Sequence, residues 1–178
     1  MKVIGIRSGR CMGCKTCELY CAAERGSEGK TLLRAVQEMP LPQSRVRVEG
    51  ESGAAFPLQC RHCLQAPCID ACLAGALRRD EASGMVLINE NLCIGCWTCA
   101  AVCPYGVIYP FPERKIAFKC DRCLSMEKPV CIDVCPTGAL ELVELDELDG
   151  LFRERRRAAA EKLGGAQWDG LALLNLEG

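Results

Sequence analysis

NLCIGCWTCAAVCPYGVIYP, residues 91–110, places Cys93, Cys96, Cys99 and Cys103 at C-x2-C-x2-C-x3-C and follows the last with Pro104. Thiols crowd in this way for three reasons, disulfides, structural zinc or iron–sulfur clusters, and each has its own spacing and compartment. Disulfides within C-x2-C would close short, strained rings that constrain little of the unfolded chain. Zinc favours paired C-x2-C knuckles a dozen or more residues apart, often with histidine, and this chain has a single histidine, His62.

The other cysteines form three more groups: Cys11, Cys14, Cys17, Cys21; Cys60, Cys63, Cys68, Cys72; and Cys120, Cys123, Cys131, Cys135. All 16 are used, four to a group. The first and third groups share one spacing. QCRHCLQAPCIDACLAGAL and KCDRCLSMEKPVCIDVCPTGAL share C-x2-C-L, a proline before the third cysteine, C-I-D-x-C and G-A-L, so the order is A-B-A-B, an internal duplication. Every group ends on an x3 interval. In the bacterial C-x2-C-x2-C-x3-C-P run the last cysteine ligates the other cluster of a pair, and residues 93–104 match that run throughout. The metal expected at all sixteen thiols is iron, in [4Fe-4S] clusters.

Composition bounds the rest. The 178 residues allow one domain or two small ones, the net charge is -1, and aromatic residues are 5%, so a nucleic-acid surface is not expected. MKVIGIRSGRC has no apolar stretch of signal-peptide length, and no stretch approaches a membrane span, so a cytoplasmic location without membrane insertion is expected. MVLINENLC at 85–93 and KVIGIRSGRC at 2–11 read as strands entering an A motif. ELYCAAE at 18–24 and CAAVCPYG at 99–106 read as short helices around a fourth cysteine, and RVRVEGESGAAFPL at 45–58 as a β-hairpin insertion.

The A-B-A-B order, the C-I-D-x-C-x-x-G-A-L pairs and K-C-D-x-C at 119–123 resemble the four-cluster electron-transfer subunits of molybdenum and tungsten pterin oxidoreductases. That family includes formate dehydrogenase, DMSO reductase and aldehyde oxidoreductase types, and serves CO dehydrogenases and hydrogenases as well. The resemblance spans residues 3–145 and implies an α+β fold of two interleaved bacterial-ferredoxin-like modules. It implies four [4Fe-4S] clusters: one on Cys11, Cys14, Cys17 and Cys135, and a second on Cys21, Cys120, Cys123 and Cys131. The third falls on Cys60, Cys63, Cys68 and Cys103, the fourth on Cys72, Cys93, Cys96 and Cys99. Spacing alone leaves pairing between sequence neighbours open. Ala22 and Leu73 depart from the proline that follows the last cysteine elsewhere.

The residues show no P-loop, dinucleotide fingerprint or nucleophile constellation, so the chain has no catalytic site of its own. An electron-wire subunit is expected, in a hetero-oligomer with a catalytic oxidoreductase subunit and a redox acceptor or donor. The alternative is a freestanding polyferredoxin or a metalloenzyme assembly factor. Trp97, Tyr105 and Tyr109 are expected to fill space and exclude water, not to relay electrons. His62, Arg61, Arg122 and Lys119 lie beside ligands, where each either raises a cluster potential or is exposed. The double module is expected over 1–145 and a tail over 146–178, with Arg153–Arg157 on a solvated helix face. Trp168, Leu171, Leu173, Leu174 and Leu176 are expected to anchor that tail to a partner.

Overall fold

The computed structural model describes residues 2–50 and 54–164. The elements are β1 (Lys2–Ile6), α1 (Thr16–Cys21), α2 (Leu32–Ala35), β2 (Val46–Glu49), β3 (Phe56–Gln59), α3 (Pro67–Asp70), β4 (Leu77–Arg79) and β5 (Val86–Ile88). They continue with α4 (Thr98–Ala101), β6 (Ile108–Phe111), β7 (Ile116–Lys119), α5 (Val130–Asp133), β8 (Leu140–Glu144) and α6 (Leu145–Gly164). Among the described residues the strands form four two-stranded sheets, β1–β8, β2–β3, β4–β5 and β6–β7. The architecture is a small α+β one, as expected. Elements this short bury too little surface to stand alone, so the cysteine loops between them decide the packing.

The alternation at 45–58 gives the expected hairpin, with Val46 opposite Gln59 and Glu49 opposite Phe56. Val46 and Val48 face inward and are buried, while Arg47 between them is half-buried. Each valine contributes roughly 1.5–3 kcal/mol by leaving water. In β4–β5, Leu77 lies opposite Ile88 and Arg79 opposite Val86. In β6–β7, Ile108 lies opposite Lys119 and Phe111 opposite Ile116.

Prolines start the two B helices. Pro67 is the first residue of α3 and Pro129 caps α5, positions where the missing N–H costs nothing and the fixed φ is already helical. Helix formation departs from expectation after the A motifs. The expected helix over 99–106 closes at Ala101, before Cys103, because Pro104 cannot continue it. After Cys21, where Ala22 replaces proline, the chain runs on as a π-turn over Ala22–Gly26.

Two hydrophobic cores form, and both lie within Val3–Leu142, which clusters as one compact unit. The first holds Ile4, Cys17, Cys21, Val46, Val48, Cys131 and Leu140, with α1 packed on α5 and β2. The second holds Leu77, Val86, Cys99, Ile108 and Ala117, with α3 packed on α4 and β4. Thus the first and last cysteine groups meet in one core and the middle two in the other. α6 belongs to the other unit. Asp146 and Glu147 complement the dipole at its start, and Arg153, Glu154, Arg156 and Arg157 are exposed, as expected of that basic run. No described helix is long and apolar enough to cross a membrane. The apolar anchors expected at Trp168, Leu171, Leu173, Leu174 and Leu176 lie outside the described residues.

Candidate metal centres

The two A loops have the same backbone. Gly13 and Lys15 have φ of 72° and 57°, and Gly95 and Trp97 have 68° and 54°. Alternating hand in this way curls the chain around the three cysteines and turns amide N–H groups inward, the geometry of an anion-binding nest. The B loops use His62 at 48° and Arg122 at 55°, with Cys123 at 51°. After the last cysteine, Gly75, Gly106 and Gly138 take φ of 59°, 60° and 61° and lead into β4, β6 and β8. The first group lacks this C-x2-G exit, and the π-turn replaces it.

Donors converge on sulfur. The amides of Arg45, Ala117 and Arg122 donate to Cys21, Cys93 and Cys120 Sγ at 3.3, 3.4 and 3.3 Å. Those of His62 and Ala139 donate to Cys60 and Cys135 Sγ at 3.5 and 3.3 Å. The hydroxyls of Thr16 and Thr98 donate to Cys14 and Cys96 Sγ at 3.3 and 3.5 Å. Such donors favour thiolate over thiol. Accordingly the Thr98 hydroxyl and amide lower the Cys96 pKa, and the Thr137 and Ala139 donors overcome burial to lower that of Cys135.

Burial does the opposite where water is excluded. It pushes Cys17 up to about 12, Cys99 to about 11 and Cys120 to about 12, and Cys131 higher still. Buried thiols of this kind ionise when a metal displaces the proton. All sixteen cysteines are free of disulfides.

The neighbours of these thiols come from distant parts of the chain. Cys17 feels Cys135 and Cys14, and Cys131 feels Cys120, Cys21 and Cys123 and, more weakly, Cys17. Cys68 feels Cys60 and Cys103, while Cys99 feels Cys72, Cys93 and Cys96. An apolar cavity is lined by Cys72, Cys93, Cys96 and Cys99 together with Ile88 and Trp97. Among the described residues no three His, Cys, Asp or Glu side chains close tightly enough on a point to hold a single ion. Four thiols lining one cavity fit a sulfide-bridged iron cluster, the group that such cysteine spacings hold.

The other candidates divide. Trp97 packs in the second core, and its indole N–H donates to Ile116 O at 3.1 Å. Tyr109 stacks on Phe118 at 5.4 Å with Arg47 over its ring, and Tyr105 is exposed. Arg61 is exposed, whereas His62, Lys119 and Arg122 are buried. His62 Nδ1 lies 3.2 Å from Val86 N and 3.1 Å from Val86 O, so that residue engages it in either tautomer, while Nε2 has no protein partner. Burial, then Lys119 and Arg122, pushes His62 down to about 3 and keeps it neutral. Gln59 is also fully buried with both amide atoms unpartnered, so two orphaned polar side chains flank Cys60. A sulfur-rich acceptor in the adjoining site would satisfy the Gln59 amide N–H.

Sequence reasoning missed a further feature, an ion triad in which Asp121 accepts from both Arg25 and Arg45, the latter at 2.8 Å. The acid was visible inside K-C-D-x-C, but its two partners come from outside any motif.

Residues 52–145 match the family profile described as a 4Fe-4S dicluster domain. An iron-sulfur protein of Rhodospirillum rubrum is 37% identical over 171 residues, covering 86% of this chain and 88% of that protein. Protein NrfC of Escherichia coli strain K12 is 34% identical over 174 residues, covering 87% of this chain and 75% of its own length. The thiosulfate reductase electron transfer subunit PhsB of Salmonella typhi is 36% identical over 153 residues, covering 78% and 73%.

Proposed function

Because the chain belongs to the 4Fe-4S dicluster family of iron–sulfur electron-transfer proteins, we propose that it is the electron-wire subunit of an oxidoreductase complex, with four [4Fe-4S] clusters. The ligand sets are Cys11, Cys14, Cys17, Cys135; Cys21, Cys120, Cys123, Cys131; Cys60, Cys63, Cys68, Cys103; and Cys72, Cys93, Cys96, Cys99. The observation that carries this reading is the set of thiol neighbourhoods, since Cys17 feels Cys135 across more than half the chain and Cys131 feels Cys21. The division of the cores supports it too, with the outer groups meeting in one and the inner groups in the other. On this reading residues 1–145 are two interleaved ferredoxin-like modules, and 146–178 form a partner-docking tail.

A bound cluster of this type takes up and releases one electron at a time within a range of about −700 to +450 mV. The protein fixes the thiolates, excludes water with the apolar lining around Cys72 and Cys99, and aims N–H groups at sulfur to stabilise added negative charge. A catalytic partner of the molybdenum or tungsten pterin, CO dehydrogenase or hydrogenase kind supplies or receives the electrons. The names of two relatives support a partnered role, the thiosulfate reductase subunit PhsB and a subunit of an anaerobic dimethyl sulfoxide reductase. Cys21→Ser is expected to remove the paramagnetic signal of the set holding Cys120, Cys123 and Cys131 and spare that of Cys11, Cys14 and Cys17. Cys135→Ser is expected to do the reverse. Loss of the signal nearest in sequence would sink the interleaving, and native purification as a lone brown monomer would return the freestanding polyferredoxin.

A further inference from the structure

We propose that Lys119 and Arg122 form a fixed cationic bridge between two neighbouring cluster sites, those containing Cys60 and Cys120 (here the inner sites, the other two being the outer), and raise the reduction potentials of both. This rests on the ligand sets proposed above.

The two sites abut through their B loops. His62 and Arg122 hold the same place in C-x-x-C, both with left-handed backbones, and their amides donate to Cys60 Sγ and Cys120 Sγ at 3.5 and 3.3 Å. The Arg122 guanidinium lies within electrostatic reach of both Cys60 and Cys120, one ligand from each set. Lys119, at the end of β7, reaches Cys68 of the Cys60 set and directly precedes Cys120.

Both cations are deeply placed, Lys119 4% exposed and Arg122 9%. The Lys119 ammonium donates to two carbonyl oxygens, of Val86 and, at 3.1 Å, of Cys120. Val86 is available because its N–H and C=O face away from β4, where Asp80 N–H to Met85 O and Asn89 N–H to Ala76 O take the ladder bonds. Neutral carbonyls orient a buried ammonium but do not offset its charge. The nearby carboxylate, Asp121, is already engaged by Arg25 and Arg45. A thiolate-bearing site lies on either side of Arg122, through Cys60 and through Cys120.

Reduction adds one electron from the donor protein to a site. No bond forms or breaks, and no proton moves, because both side chains are already cationic. A buried positive charge therefore favours the reduced form of each flanking site. Cys17 feels the acid Glu18, and Cys99 feels other thiols.

Redox titration of the holoprotein, followed cluster by cluster by paramagnetic resonance, tests the bridge with Lys119→Met and Arg122→Gln. Each is expected to shift the one-electron equilibrium of the two inner sites at least tenfold toward oxidised, about 59 mV lower. The outer sites should keep their potentials, and Lys119→Arg should restore the inner ones. Unchanged inner potentials at full iron content, or an equal shift of all four, would overturn the bridge. So would loss of iron in both variants, which assigns the two residues a purely structural role. If the unmutated holoprotein holds only about twelve iron, or shows its inner signals on other ligands, the site assignment fails and not the bridge.

Discussion

Asp121 sits between two ligands, Cys120 and Cys123, and gathers three donors onto one carboxylate. Arg25 and Arg45 donate to Oδ2 and the Cys123 amide to Oδ1 at 3.1 Å. Burial opposes its charge, but Arg45 and Arg25 hold its pKa below the usual carboxylate range. The side chains are 17 to 24% exposed, so solvent screens the triad only in part. Asp121→Asn keeps an acceptor for the Cys123 amide and leaves two guanidinium groups facing each other without their anion. The expected loss is about 2 kcal/mol. It should appear as roughly ten- to thirty-fold faster bleaching of the holoprotein in chelator, whereas Arg47→Gln, whose more exposed guanidinium lies 3.8 Å from Glu18, should change that rate little. At this scale the sequence was informative about chemistry and silent about depth. It marked every thiol and flagged Lys119, Arg122 and His62, but exposure remained open because a cation beside a ligand can face either way. The structure buries those three and leaves Arg61 outside.

Two glycines show how an element depends on what surrounds it. Gly95 and Gly106 both have left-handed backbones, at φ 68° and 60°. A Cβ on Gly106 would meet nothing within 4 Å, while one on Gly95 would strike the carbonyl oxygen of Lys115. Gly106→Ala is therefore expected to cost only the backbone penalty, about 1–2 kcal/mol, and to retain its clusters. Gly95→Ala adds a clash with backbone that cannot swing aside, and should lower the iron content or shift the signal of the site holding Cys93 and Cys96. Iron analysis and paramagnetic spectra of the two variants make the comparison. The strands and the 45–58 hairpin were legible because alternation reports a buried face directly. The ends of the helices were not. Pro104 stops α4 early, and Ala22 lets the chain after Cys21 continue as a π-turn, a difference of one residue whose outcome depends on the packing around Ala23. Left-handed Lys15, Trp97, His62 and Arg122 were equally hidden, since propensity alone assigns that conformation to glycine and asparagine.

For the molecule as a whole, iron replaces much of the core that short elements cannot supply. If each thiol set holds one cubane, anaerobically prepared protein should contain about sixteen iron and sixteen sulfide per chain, and should unfold when they are chelated. A content of about twelve or less in fully reconstituted protein would remove one site from the four. The cysteine groups were legible in full, but which groups meet was not, because spacing constrains a loop and says nothing about its partner. The β1–β8 sheet bears on another matter, the order of events during synthesis. β1 is synthesised well before its partner strand, and Arg7 waits for Glu141, 134 residues later, to close their 2.8 Å ion pair. The middle core, complete within residues 66–117, has all its strands and helices well before then. If each core closes once its last segment is made, the middle one closes first, and Cys17 and Cys21 wait for Cys131 before theirs can. A chain interrupted before Cys131 leaves Cys17 and Cys21 without the far half of their core.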